Sequence, residues 1–169
     1  MQFVAAHARE SDAAAVAALR TAAGAGLTAA HGQGHWTINV TIKGVEWDLR
    51  RGRVIVARDS ERIVGTLSLG TRKPWAIDAS CFPPVNRPLY LTNMAVAPDM
   101  QGRGVGRFLL ARARDAAVDW PAGAIRLDAY EGAMGAGGFY ASCGYREVGR
   151  AIYRDVPLIY YEQPLRPAT

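Results

Sequence analysis

The stretch that most limits what this chain can fold into is Leu89–Gly106, which reads as an apolar strand, a proline and a glycine-rich turn opening into a helix. Leu89-Tyr90-Leu91-Thr92-Asn93-Met94-Ala95-Val96 is mostly apolar and stops at Pro98, which cannot continue the ladder of a central strand. Beyond the turn, Leu109, Ala113, Ala116 and Trp120 recur on one side of a helix expected from Phe108 to Trp120. Between them Gly102, Gly104 and Gly106 alternate with Arg103 and Val105. Glycine permits positive φ and close approach to the backbone, and the first amides of a helix have no partner within it. A glycine turn feeding a helix start is therefore a place for an anion, most often a phosphate, and Arg103 and Arg107 add positive charge there.

Two phosphate-binding patterns fail on spacing. A P-loop needs Lys and Ser or Thr after its last glycine, whereas Arg107-Phe108 follow Gly106. The dinucleotide fingerprint needs Gly-x-Gly-x-x-Gly near a first strand, and this turn is Gly-x-Gly-x-Gly late in the chain. What fits is Gln101-x-x-Gly104-x-Gly106, preceded by the strand ending Met94-Ala95-Val96-Ala97-Pro98. A second segment, Ala136-Gly137-Gly138-Phe139-Tyr140-Ala141-Ser142-Cys143-Gly144-Tyr145, follows downstream. In both segments the chain resembles the GNAT superfamily of acyl-CoA-dependent N-acyltransferases: the first matches the family's pyrophosphate motif without substitution, the second its Ala-x-x-Phe-Tyr-x-x-x-Gly-Phe segment.

The resemblance implies an α/β (α+β) fold with a mixed central sheet of about six to seven strands and about four helices, splayed at the fourth and fifth strands. It implies acetyl-CoA as co-substrate, with no metal, and acetyl transfer to the primary amine of a small molecule or protein. The backbone of Gln101, Gly102, Arg103, Gly104, Val105 and Gly106 would hold the CoA pyrophosphate. Met94, Ala95 and Val96 would lie along the pantetheine arm, with an amide near Met94 or Ala95 polarising the thioester carbonyl. Tyr140 would be the general acid for the departing thiolate, since a phenol is protonated at neutral pH. Where the family often has an asparagine that bonds the pantetheine, this chain has Ala133. The general base stays open among Asn93 or Thr92 holding a water, Asp128 and Asp78. A non-catalytic CoA sensor on the same fold is the alternative.

The remaining sequence is organised around this centre. Phe3–Ala6 reads as a first strand, and a helix capped by Ser11 or Asp12 is expected to end at Gly24 or Gly26. Residues 38–51 read as a weak helix broken at Gly44, with Trp36 and Trp47 as candidates to line an acceptor pocket. Arg53–Arg58 and Ile63–Leu69 form a hairpin, Ala124–Ala129 a strand, and Tyr145–Ile152 and Leu158–Pro164 two closing strands. Residues 71–88, rich in proline, are long enough to suggest a lid or an acceptor-site loop.

The chain is expected to form a single domain over 1–169. Two cysteines, Cys81 and Cys143, and three histidines show no ligand spacing. No run approaches 18 consecutive apolar residues and no secretory pattern opens the sequence, so no membrane span and a cytoplasmic location are expected. The net charge of +5 comes from arginines scattered among acids rather than from a basic run, which disfavours nucleic acid as partner. Homodimers are common in the resembling family.

Overall fold

The computed structural model describes residues 2–165, which cluster into two compact units. Of the described residues, the first holds those up to Leu69 and Thr92–Ala113, the second Gly70–Leu91 and those from Arg114 on. Seven strands, β1 (Val4–His7), β2 (Arg53–Asp59), β3 (Arg62–Gly70), β4 (Pro88–Val96), β5 (Ala124–Tyr130), β6 (Arg146–Tyr153) and β7 (Val156–Pro164), form one sheet in the order β1-β2-β3-β4-β5-β7-β6. Four helices accompany it: α1 (Ala13–His31), α2 (Ile42–Arg51), α3 (Val105–Asp119) and α4 (Gly137–Ser142). The sheet is mixed, because β4 and β5 run parallel while β1–β2, β2–β3, β5–β7 and β6–β7 are antiparallel. The parallel ladder pairs Pro88, Leu89 and Tyr90 with Ala124, Ile125 and Arg126 and goes no further. That early end is the splay expected of the fold.

In the first unit, β2 and β3 are buried on both faces, from Val54 to Ala57 and from Ile63 to Leu69, as near-continuous apolar runs require. Their turn places Ser60 at φ 54. Helix α1 buries Ala13, Val16, Ala17 and Leu19 and runs well past its expected end at Gly24 or Gly26. The glycine at 24 serves approach rather than termination: a Cβ there would stand 2.4 Å from the Trp36 carbonyl oxygen. The helix ends instead at Gly32, whose φ of 80 closes it. Glu10–His31 is long and apolar enough to cross a membrane by length and composition, although it holds no unbroken apolar run of 18 residues. Here it is a packed helix with one buried face and Arg20 ion-paired within the unit. Helix α2 is shorter than expected and unbroken at Gly44, whose amide caps it by donating to Thr41 Oγ1 at 3.1 Å. Trp47 is exposed on it, with Arg51 stacked 3.9 Å over the ring.

In the second unit, Ile77, Phe82, Tyr90, Leu158 and Tyr160 form a buried cluster. The segment between β3 and β4 contributes to that cluster and is pinned along its length. Lys73 Nζ donates to the Ile77 carbonyl at 2.6 Å, and the Asp78 amide donates to Tyr160 Oη at 3.1 Å. Arg126 Nη2 reaches the Pro83 carbonyl at 2.6 Å, and the Gly123 amide reaches Asn86 O at 3.0 Å. This stretch, expected as a lid or an acceptor-site loop, is a strap fastened at several points within its unit. Glu162 on β7 is fully buried between Arg126 Nε at 2.9 Å and Arg146 Nη2 at 3.1 Å. Strands β6 and β7 meet in a tight hairpin whose Arg154 and Asp155 both take positive φ, the conformation a two-residue turn with the right twist demands.

Candidate active site

The glycine turn lies in the first unit and is built as its sequence requires. After β4, Pro98–Met100 make one 3-10 turn, tied down by bonds from Ala97 N to Val64 O (2.9 Å) and from Met100 N to Ala97 O (2.8 Å). Asp99 forms a two-pronged pair with Arg62, both contacts 2.7 Å, on the exposed surface. Gly102 and Gly104 then adopt φ 73 and 87. An added Cβ would meet nothing within 4 Å at either position. The demand for glycine is therefore conformational on the protein's side, and the space above the turn is open. Helix α3 begins at Val105, earlier than expected, and its first bond from inside the turn runs from Phe108 N to Gly104 O at 3.0 Å. The amides of Val105 and Gly106 precede that ladder at the positive end of the helix dipole. An open, left-handed glycine cradle at a helix start fits a pyrophosphate.

What seats this helix is a missing side chain on β3. At Gly65 a Cβ would stand 2.7 Å from Val105 Cγ1 and 2.8 Å from Leu109 Cδ1, both on buried residues. The absence of that methyl lets the first turn of α3 sit directly on the strand. Met94, Ala95 and Val96 are half-buried at the end of β4, and Gln101 Nε2 reaches the Val96 carbonyl at 3.4 Å. The ten expected site residues thus divide: Met94–Val96 and Gln101–Gly106 share the first unit, and Tyr140 belongs to the second.

Tyr140 sits on α4, 8 % exposed, among Phe139, Tyr145 and Tyr161 at ring-centroid distances of 5.4, 5.8 and 6.1 Å. The short helix can lie this close because Gly137 has no Cβ, which would stand 2.4 Å from Tyr161 Oη. Burial, then the charge of Asp128, pushes the Tyr140 phenol well above its ordinary value, so it holds its proton. Asp128 on β5 lies opposite Tyr160 in register. Its carboxylate makes no hydrogen bond to another residue among the described residues, and burial pushes its proton affinity up. Of the open candidates for a base, Asp78 is exposed and held low by Ser80, whose hydroxyl and amide both donate to it. Two groups tuned in a way that suits acid and base work therefore occur in one unit, a buried phenol and a poorly solvated carboxylate. Asn93 is committed elsewhere, donating to Asp48 Oδ2 at 3.2 Å. Among the described residues no group of three or more His, Cys, Asp or Glu is placed to hold a metal ion.

The family model described as "Acetyltransferase (GNAT) domain" matches residues 50–147, more than half of the chain, and the match runs through both units. No curated protein matches the sequence. Among solved structures, the chain is similar to an acetyltransferase from Salmonella typhimurium held with its cofactor acetyl-CoA: TM-score 0.71, 19 % identity, 97 % of this chain and 94 % of that one. It is also similar to the ribosomal-protein-S18-alanine N-acetyltransferase of Escherichia coli, with TM-score 0.72, 16 % identity and coverage of 99 % and 97 %. A third is the PaiA N-acetyltransferase of Thermoplasma acidophilum in complex with coenzyme A, with TM-score 0.75, 11 % identity and coverage of 98 % and 100 %. At such identities these likenesses speak for the fold.

Proposed function

The chain belongs to the GNAT acetyltransferase family, and from that premise we propose that it moves an acetyl group from acetyl-CoA to a primary amine by direct attack in a ternary complex. The acceptor is a small molecule or a protein amine. The observation that carries this reading is the open turn at Gly102 and Gly104, two left-handed glycines leading into a helix. In it the backbone from Gln101 to Gly106 holds the pyrophosphate, and Met94, Ala95 and Val96 line the pantetheine arm. The co-substrate supplies an activated acetyl thioester.

In the transfer the amine nitrogen forms a bond to the acetyl carbon and the carbon–sulfur bond breaks. The proton lost by the amine goes to Asp128, directly or through a water, and the thiolate takes its proton from Tyr140. Support for Asp128 as the base is its burial together with the lack of a hydrogen bond to another residue among the described residues. The reading takes 1–169 as one domain acting in the cytoplasm, without metal, nucleic acid or membrane, and a homodimer accords with the family's habit.

Thermal unfolding with CoA, acetyl-CoA, ATP and NAD, followed by thiol release from acetyl-CoA with a panel of amines, tests it. A midpoint rise with CoA and acetyl-CoA alone, with thiol release by at least one amine, is expected. Stabilisation by ATP or NAD instead would sink the assignment of the turn. Stabilisation by CoA with no transfer to any amine would point to the sensor.

A further inference from the structure

A chain of polar side chains crosses the first unit from β3 to β4. Arg20 on α1 is only 7 % exposed, and a guanidinium so placed needs fixed partners. Its Nη2 donates to Ser68 Oγ at 3.0 Å and its Nη1 to Asp48 Oδ2 at 2.6 Å. Asn93 Nδ2 donates to the same Asp48 oxygen at 3.2 Å. Three residues from β3, α1 and α2 are thereby linked in series to one side chain of β4, which Asp48 alone touches.

That side chain belongs to a backbone irregularity. Asn93 has φ 54 in the middle of a strand. The other non-glycine residues with positive φ among those described are Ser60, Arg87, Arg154 and Asp155, and each lies in a turn or just before a strand. Asparagine tolerates the left-handed region better than most residues, but the conformation persists only where the surroundings fix it. A left-handed residue inside a strand breaks the alternation and re-aims the peptides that follow. Those peptides are Met94, Ala95 and Val96.

We propose that Asn93 is a positioning residue for acetyl transfer. The Ser68–Arg20–Asp48 chain holds its side chain, and the held side chain fixes the left-handed turn that sets the direction of the backbone from Met94 to Val96. This rests on the acetyltransferase reading above and adds to it a tether that reaches the reacting strand from α1. Asp48 acts through Asn93. A general role in folding would affect every property of the enzyme together, whereas this role separates the rate of transfer from the binding of the amine.

The variants Asn93→Ala, Asn93→Gly and Asp48→Ala decide it. Asn93→Ala loses the tether and disfavours φ 54, and small misplacements of reacting groups are costly, so kcat falls roughly tenfold. The KM for the amine stays within about threefold, and CoA affinity falls less than kcat, because the Gln101–Gly106 turn that takes the pyrophosphate is left intact. Asn93→Gly takes positive φ without strain but has no side chain for Asp48 to hold, so it recovers only part of the loss. Asp48→Ala reproduces the fall, and the double variant with Asn93→Ala adds nothing further, as members of one chain should. Amide exchange at Met94 and Ala95, measured on the protein alone, speeds up in Asn93→Ala.

Full kcat and unchanged exchange in Asn93→Ala would overturn the proposal. So would equal losses in the alanine and glycine variants with a raised amine KM, which would put the Asn93 amide on the acceptor itself. Additive losses in the double variant would break the link to Asp48. Should Asp48→Ala not fold, the two Asn93 variants suffice. Wild-type protein that binds no acetyl-CoA would refute the wider reading, while the exchange measurement would still report on the tether.

Discussion

Replacing Gly104 by alanine separates two demands that the turn makes on this position. On the protein's own side the cost is conformational, because φ is 87 and a Cβ would meet nothing within 4 Å. Holding an L residue left-handed costs about 1–2 kcal/mol, which for a chain of this length lowers the unfolding midpoint by about 2–8 °C. On the ligand's side the methyl stands in the open space where the pyrophosphate would approach the backbone. In wild type, CoA at about 100 times its dissociation constant stabilises by about 2.7 kcal/mol, a rise of about 5–11 °C. If the methyl weakens binding about a hundredfold, the same CoA concentration stabilises by only about 0.4 kcal/mol, a rise of about 1–2 °C. The assay is differential scanning fluorimetry of both proteins, with and without CoA. A variant whose midpoint drops but whose CoA-induced rise stays whole would refute the placement of the pyrophosphate at this turn. A variant with no loss in the absence of ligand would refute the conformational argument.

Four further outcomes follow from the same geometry. Tyr140→Phe should lower kcat roughly a hundredfold with amine KM little changed, and a kcat within twofold of wild type would remove Tyr140 as the acid. Asp128→Asn should lower kcat yet raise stability at neutral pH. Desolvation raises the Asp128 carboxyl, so the folded state binds the proton more tightly than the unfolded chain, and ionising it opposes folding. The gain over wild type should therefore shrink as pH falls toward the carboxylate range, and a midpoint difference constant from pH 7 to pH 4 would contradict it. Glu162→Gln removes the countercharge of buried Arg126, whose other contacts among the described residues are the Pro83 carbonyl and the Phe82 ring. It should cost about 3 kcal/mol, a midpoint fall of about 6–12 °C, and a fall under about 2 °C would refute it. Gly65→Ala overpacks against Val105 and Leu109, so it should cost about 1–3 kcal/mol and weaken CoA binding. Calorimetric titration with CoA checks the second effect.

What could be read in the chain alone was whatever is written locally. The glycine turn, the hairpin of β2 and β3 and the strand leading to Pro98 have short signals, and the structure has them where those signals lie. Gly24 was misread because a glycine that ends a helix and one that admits a neighbouring chain look the same in sequence. Only the Trp36 carbonyl, twelve residues on, tells them apart. The fastenings of residues 71–88, Tyr160 and Arg126, lie far along the chain and leave no local signal. The burial of Asp128, which raises its carboxyl, is likewise set by neighbours far along the chain and leaves no local signal. Arg20, Asp48 and Ser68 carried no signal, since side chains scattered over three elements have no pattern before folding brings them together.

The fastened strap between β3 and β4 has a consequence for how the enzyme would meet new substrates. Its backbone is ordered when the chain folds, so a molecule that docks against it neither freezes a wandering segment nor waits for one to open. Arrival would then be limited by diffusion and orientation. Exposed positions such as Arg72, Trp75 and Ser80 ride on a frame whose shape is set by other residues. Were an acceptor to dock there, exchanging those side chains would change what the surface recognises while the frame stays put, and selectivity could drift by single substitutions without the fold being renegotiated.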